Sequence, residues 1–209
     1  MPNLYPAFER QEVVVHSPEH VRSIGELDDA QLDLVAEAWR ERARAVPGYV
    51  HAIVNEGRAA GGSLAHSHSQ LVWLRGTPPA VEDERPGDVL LEGEQIGERD
   101  GVLLLAPPAP RVPYELRIVP ARPEADPWSS DALAPALHLL AEAVRRLHAI
   151  AGGAIPLNAW LHHGEWWHLE LLPRLTALAG IELGAGIYVV TVTPEQAAAD
   201  LRQAGGAGA

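Results

Sequence analysis

Asn55-Glu56-Gly57-Arg58-Ala59-Ala60-Gly61-Gly62-Ser63-Leu64-Ala65-His66-Ser67-His68-Ser69-Gln70 closes one apolar run and opens the next. Residues 49–55 before it read as a strand, and residues 69–74 after it as another. Between them lie three glycines, an arginine and a serine, a loop able to turn main-chain N–H groups and a hydroxyl toward an anion. On the second strand His66, His68 and Gln70 recur at spacing two and share one face, while Ser67 and Ser69 point the other way. Such a row sets an imidazole against an electrophile or a metal. A cupin-like metal site would want a glutamate three or four residues after the second histidine. Leu71 and Val72 stand nearby instead, which favours the nucleophile.

Working outward, three helices are legible. Asp28 and Gln31 form a capping-box start for a helix over 28–45, with Leu32, Val35, Ala36, Trp39 and Ala43 at helical spacing and Pro47-Gly48 as its end. Ser130 is the expected cap of a second helix, over 130–151, that Gly152-Gly153 stops. Thr193-Pro194 starts a third. Further strands are expected at 12–16, 102–106, 116–119, 158–162, 169–172 and 188–192. Written in order, 12–16, helix, 49–55 and the His66 strand make one set, and 115–119, helix, 158–162 and Trp166-Trp167-His168-Leu169-Glu170 make another. The expectation is an α+β fold with two tandem pseudo-repeats sharing a mainly antiparallel sheet, helices packed against it. The first repeat spans 1–100 and carries the site, the second 101–202 is degenerate, and 203–209 is a flexible tail.

Composition narrows the chemistry. The 209 residues include no cysteine, and all 16 basic residues are arginine. Disulfides, thiolate zinc and cysteine nucleophiles are excluded, as are a Walker A loop and any lysine Schiff base. A net charge of −12 argues against a nucleic-acid partner. No apolar run is long enough to span a bilayer and no signal peptide is evident, so a cytoplasmic protein without a membrane partner is expected.

Asn3-Leu4-Tyr5-Pro6, Ser17-Pro18-Glu19-His20 and His66-Ser67-His68-Ser69-Gln70 together resemble the galactose-1-phosphate uridylyltransferase family of the histidine-triad superfamily. Ala109-Pro110-Arg111-Val112-Pro113-Tyr114-Glu115 and His168-Leu169-Glu170-Leu171-Leu172-Pro173-Arg174 resemble its second repeat. The resemblance implies a nucleotidyltransferase in which His68 attacks the α-phosphorus of a UDP- or ADP-hexose and passes the nucleotidyl group to a sugar 1-phosphate. It also implies that the His66 carbonyl orients His68, that Gln70 contacts phosphate, that Asn55 and Ser63 hold phosphates and that Asn3 lies near the nucleoside. Arg58, read from the loop itself, adds a cation for charge developing there. Alternatives are a phosphorylase or hydrolase of ADP-glucose or dinucleoside polyphosphates, and a non-catalytic nucleotide-binding protein.

The departures carry expectations too. His20 and His66 match two ligands of the family's structural zinc, but its Cys-x-x-Cys has no counterpart among these residues, so zinc or iron is expected to be weak or absent and no cofactor required. Glu84, His162, His168 and Glu170 lie near a second metal site of some relatives. No phosphate loop precedes His168, so one working site is expected, in the first half. Gly180-Ile181-Glu182-Leu183-Gly184-Ala185-Gly186 and the His-Ser-His-Ser-Gln wording look closer to ADP-glucose phosphorylase-like members. In relatives the glycine-rich segment reaches the partner subunit, which implies a homodimer handling nucleotide sugar and sugar phosphate.

Overall fold

The computed structural model describes residues 1–82 and 91–206. In chain order these form β1 (Arg10–Val15), α1 (Asp29–Arg44), β2 (Tyr49–Glu56), β3 (His68–Leu74), the short α2 (Pro79–Glu82), β4 (Glu94–Arg99), β5 (Val102–Ala106), β6 (Leu116–Pro120), α3 (Leu133–Ala151), β7 (Leu157–His162), β8 (His168–Pro173), α4 (Gly180–Ala185) and α5 (Pro194–Gly206). Among the described residues the strands make one eight-stranded sheet in the order β1-β3-β2-β7-β8-β6-β5-β4. Every neighbouring pair is antiparallel. The α+β class with an antiparallel sheet holds. β1-β3-β2 from the first half and β6-β8-β7 from the second meet at the central β2–β7 pair, where Asn55 stands opposite Asn158.

The apolar spacing of each helix accounts for its packing. On α1, Leu32, Val35, Ala36, Trp39 and Ala43 are buried, and Asp28 with Gln31 closes a capping box at its start. α3 is buried along Leu133, Leu137, Leu140, Val144 and Leu147, and it packs between α1 and α5 over the β4–β6 part of the sheet. One buried hydroxyl joins α1 to β3, and a second ties the end of β1 to the entry of β3. Trp39 Nε1 donates to Ser69 Oγ at 2.7 Å, and His16 Nδ1 meets Ser67 Oγ at 2.8 Å. Ser67 and Ser69 are therefore satisfied polar groups on the face opposite His68.

Five expectations are corrected. Residues 188–192 form no strand: Tyr188 and Val189 are exposed and pair with no ladder. A β-rich run needs a free edge to dock on, which local pattern does not report. β4 was not expected, because Glu94-Gln95-Ile96-Gly97-Glu98-Arg99 buries only Ile96 and covers a sheet edge. Ser130 precedes rather than caps α3. Its Oγ accepts from Ala132 N at 3.0 Å, and the helix begins three residues on. Residues 203–206 are the last turn of α5, which Ala197, Ala198 and Leu201 bury, while 207–209 lie outside the described residues. His66 sits in a bend before β3, not on the strand, so it shares no strand face with His68 and Gln70.

Candidate active site

β2 ends at Glu56, and the chain turns at once through Gly57 and Gly61, both at φ 79°. That left-handed backbone is why glycine stands there. Gly62 then passes so close to the start of the loop that a Cβ on it would lie 2.8 Å from the Asn55 carbonyl oxygen. The folded loop and the segment entering β3 line a cavity of about 540 Å³ together with Arg22, Ser23, Glu26, His148 and Pro156. Asn55, Arg58, Ser63, His66 and His68 all line it. Asn3 and Gln70 do not: Asn3 Oδ1 accepts from Tyr5 N beside β1, and Gln70 Oε1 accepts from Gln11 on β1.

His68 is 6% exposed. Its Nδ1 lies 2.8 Å from the His66 carbonyl oxygen. A carbonyl only accepts, so Nδ1 carries the proton and the neutral ring keeps its lone pair on Nε2. His66 is oriented by the same logic, with Nε2 donating to Ser17 O at 2.9 Å. The segment before β3 is further pinned by Ser67 N to Val21 O at 2.8 Å and His16 N to Ser67 O at 3.2 Å. Behind it, His16 is held neutral: burial, then the charges of His68 and His66, bring it down to about 3.

The donors around the cavity suit an anion. Asn158 Nδ2 donates to Asn55 Oδ1 at 2.7 Å and to Ala60 O at 2.8 Å, which ties the loop to β7 and leaves the Asn55 amide N–H groups to face the cavity. Among the described residues, Arg22 and Arg58 form no ion pair with a carboxylate. Two guanidiniums without counter-ions beside an open loop, in a chain of net charge −12, are an anion's electrostatic complement. Glu56 at the cavity floor accepts from Ile24 N at 2.6 Å, and burial pushes its carboxyl up.

Residues 6–78, which hold this loop and His68, match the family described as galactose-1-phosphate uridyl transferase, N-terminal domain. Over most of its length the chain is similar to an ADP-glucose phosphorylase and to a galactose-1-phosphate uridylyltransferase. An ADP-glucose phosphorylase of Arabidopsis thaliana is 26% identical over 227 residues, covering 94% of this chain and 65% of that protein. The chain thus spans slightly less than two thirds of that relative. A galactose-1-phosphate uridylyltransferase of Thermotoga maritima is 25% identical over 232 residues, covering 92% of this chain and 73% of that one. The crystal structure of an ADP-glucose phosphorylase from Arabidopsis thaliana with bound ADP-glucose has a TM-score of 0.88 at 24% identity, over 97% of this chain and 80% of that chain, and shares the fold.

Two clusters correspond to the metal sites that the resemblance implies. His20 Nδ1 and His66 Nδ1 face each other at 3.4 Å, but among the described residues no third histidine or carboxylate joins them. The second cluster, His162, His168 and Glu170, places three donor atoms within 4.8 Å of one another. There Glu170 already takes a hydrogen bond from Arg111 Nη2, and its other oxygen lies 3.6 Å from His168 Nε2. Glu84, the fourth residue expected there, lies outside the described residues.

Several cavity residues carried no sequence signal. Arg22 and His148 come from the turn before α1 and the end of α3, and Asn158 reaches Asn55 only through the β2–β7 register. The tandem order of elements placed 158 at a strand start, which is the one hint that it would stand beside 55.

Proposed function

We propose that the chain is a nucleotidyltransferase working through His68, moving a nucleoside monophosphate from a nucleotide sugar to a phosphorylated acceptor. The supporting observation is the His68 ring, locked by Nδ1–H to the His66 carbonyl and turned into a cavity lined by Arg22, Arg58, Asn55 and Ser63. His68 Nε2 gives its lone pair to the α-phosphorus as the bond to the sugar-phosphate oxygen breaks, and that oxygen leaves with the bonding pair. The resulting nucleotidyl-imidazolium keeps its Nδ1 proton, and the His66 carbonyl dipole offsets the positive ring. An oxygen of the acceptor phosphate then attacks, the N–P bond breaks, and the pair returns to Nε2. No external proton is needed in either half.

The likeness to an ADP-glucose phosphorylase favours a second version in which inorganic phosphate is the acceptor. The chemistry at His68 is the same, and the acceptor alone differs. We also infer a homodimer, because Leu183 on α4 and Ile187 and Val189 just after it form an exposed apolar stretch that a second copy would cover. No helix among the described residues is long and apolar enough to cross a membrane. Soluble nucleotide sugars and a cytoplasmic setting accord with that.

Intact-mass measurement after incubation with UDP-glucose or ADP-glucose tests the proposal. A nucleotidyl adduct is expected that His68→Ala abolishes. Nucleotide binding with no adduct from either donor would instead identify a non-catalytic binding protein. Release of the adduct by galactose 1-phosphate, phosphate or water, compared side by side, assigns the acceptor.

A further inference from the structure

The second half buries one carboxylate just before β6 and another on the neighbouring strand β8. Glu115, next to the start of β6, is 6% exposed, and the Glu170 side chain on β8 is 12% exposed. Two anions so placed require a cation. Arg111 supplies it. Its Nε donates to Glu115 Oε1 at 2.8 Å, its Nη2 bonds to both Glu115 and Glu170, and its guanidinium carbon lies 5.3 Å from the Trp160 ring centroid on β7. The guanidinium therefore ties the entry to β6 to both strands that carry the histidines.

Local backbone holds Arg111 there. The turn 111–115 is closed by Glu115 N to Val112 O at 3.2 Å and by the Arg111 N–H on the Glu115 carboxylate. Tyr114 takes φ 60° to complete the turn, a costly conformation for a non-glycine residue, and its hydroxyl is anchored on Asp200 at 2.7 Å. The side chain is thus delivered already formed rather than recruited from solvent.

We propose that Arg111 is the resident cation of the His162–His168–Glu170 cluster, so that the cluster takes no divalent metal while Arg111 is present. A metal ion among these donors would bind a carboxylate already paired with a guanidinium and would be repelled by that fixed charge. Removing the guanidinium takes away the cation hydrogen-bonded to Glu170 and leaves its carboxylate beside two imidazoles, the donor set a transition metal prefers.

The test measures zinc retained after gel filtration, in a His20→Gln background that removes the other imidazole pair, with cobalt absorption as a second readout of coordination. With Arg111 in place, less than about a tenth of an equivalent is expected; Arg111→Met retains about one equivalent and loses it again on adding His168→Gln. About one equivalent held by the Arg111-containing protein and lost on His168→Gln overturns the proposal. So does an Arg111→Met chain that folds by circular dichroism and retains no metal. Should Arg111→Met not fold, the comparison of the Arg111-containing protein with its His168→Gln variant decides alone.

Discussion

His68 Nδ1, at the start of β3, and the carbonyl oxygen of His66, in the bend before it, are 2.8 Å apart. The contact fixes the imidazole tautomer through backbone alone, so the side chain of His66 is not what orients the nucleophile. His66→Ala is expected to retain nucleotidyl-adduct formation, slowed roughly tenfold by a looser bend. His68→Ala is expected to form none. Adduct yield by intact mass separates the two, and equal loss in both would assign the His66 side chain a direct part.

Arg22 and Arg58 flank the same cavity, and among the described residues neither forms an ion pair with a carboxylate. Replacing either with alanine is expected to weaken ADP-glucose or UDP-glucose binding roughly tenfold, the scale of one charge-assisted hydrogen bond. Calorimetry at two salt concentrations checks this, because a lost ionic contact also flattens the salt dependence.

Asn158 bridges Asn55 Oδ1 and Ala60 O, and so holds the glycine loop from the other half of the sheet. Asn158→Ala strands two acceptors and is expected to cost about 1–3 kcal/mol of stability. It should also slow adduct formation. Thermal unfolding and the adduct assay measure the two effects separately.

Trp39 and Ser69 join α1 to β3 at 2.7 Å in the buried layer behind His68. Ser69→Ala leaves the indole N–H unpaired and is expected to destabilise by about 1–3 kcal/mol. Combined with Trp39→Phe, the loss should be less than the sum of the two single variants, since one interaction is removed twice. Denaturant unfolding of the four proteins gives the coupling.

Acid sensitivity follows from buried imidazoles. His16 is brought down from 6.5 to about 3, by burial first and then by His68 and His66, and His51 to about 4, by burial first and then by His162. Both folded values lie below the unfolded one. Their contribution is complete above pH 6.5 and is lost as the pH falls through 4 and 3, because the unfolded chain binds the extra protons. Glu170 adds a further loss between its usual 4.5 and about 2. Unfolding free energy is therefore expected to fall steadily below pH 6.5, and His16→Gln should flatten that slope.

Much of the fold was legible because it is local. The Asp28–Gln31 box and the α1 stripe are contacts within a few residues, and the apolar runs within 49–55 and 69–74 mark two strands directly. Residues 94–99 and 188–192 misled for one reason: whether a segment is a strand depends on a distant edge. β4 has β5 beside it despite a polar sequence, and 188–192 has nothing despite an apolar one.

By itself the sequence pointed to His68 as the candidate nucleophile and to the glycine loop before it. With neither cysteine nor lysine present, histidine was the residue to examine, and spacing and glycine placement are properties of adjacent residues. Only the tertiary structure decided which side chains join His68. It drew Arg22, His148 and Asn158 into the cavity's walls and tether, left Asn3 and Gln70 along β1, and set Arg111 on Glu170. The reason is physical. Sheet register and helix packing are set by burying the whole core at once, so a contact across a hundred residues has no counterpart in the residues that flank either partner.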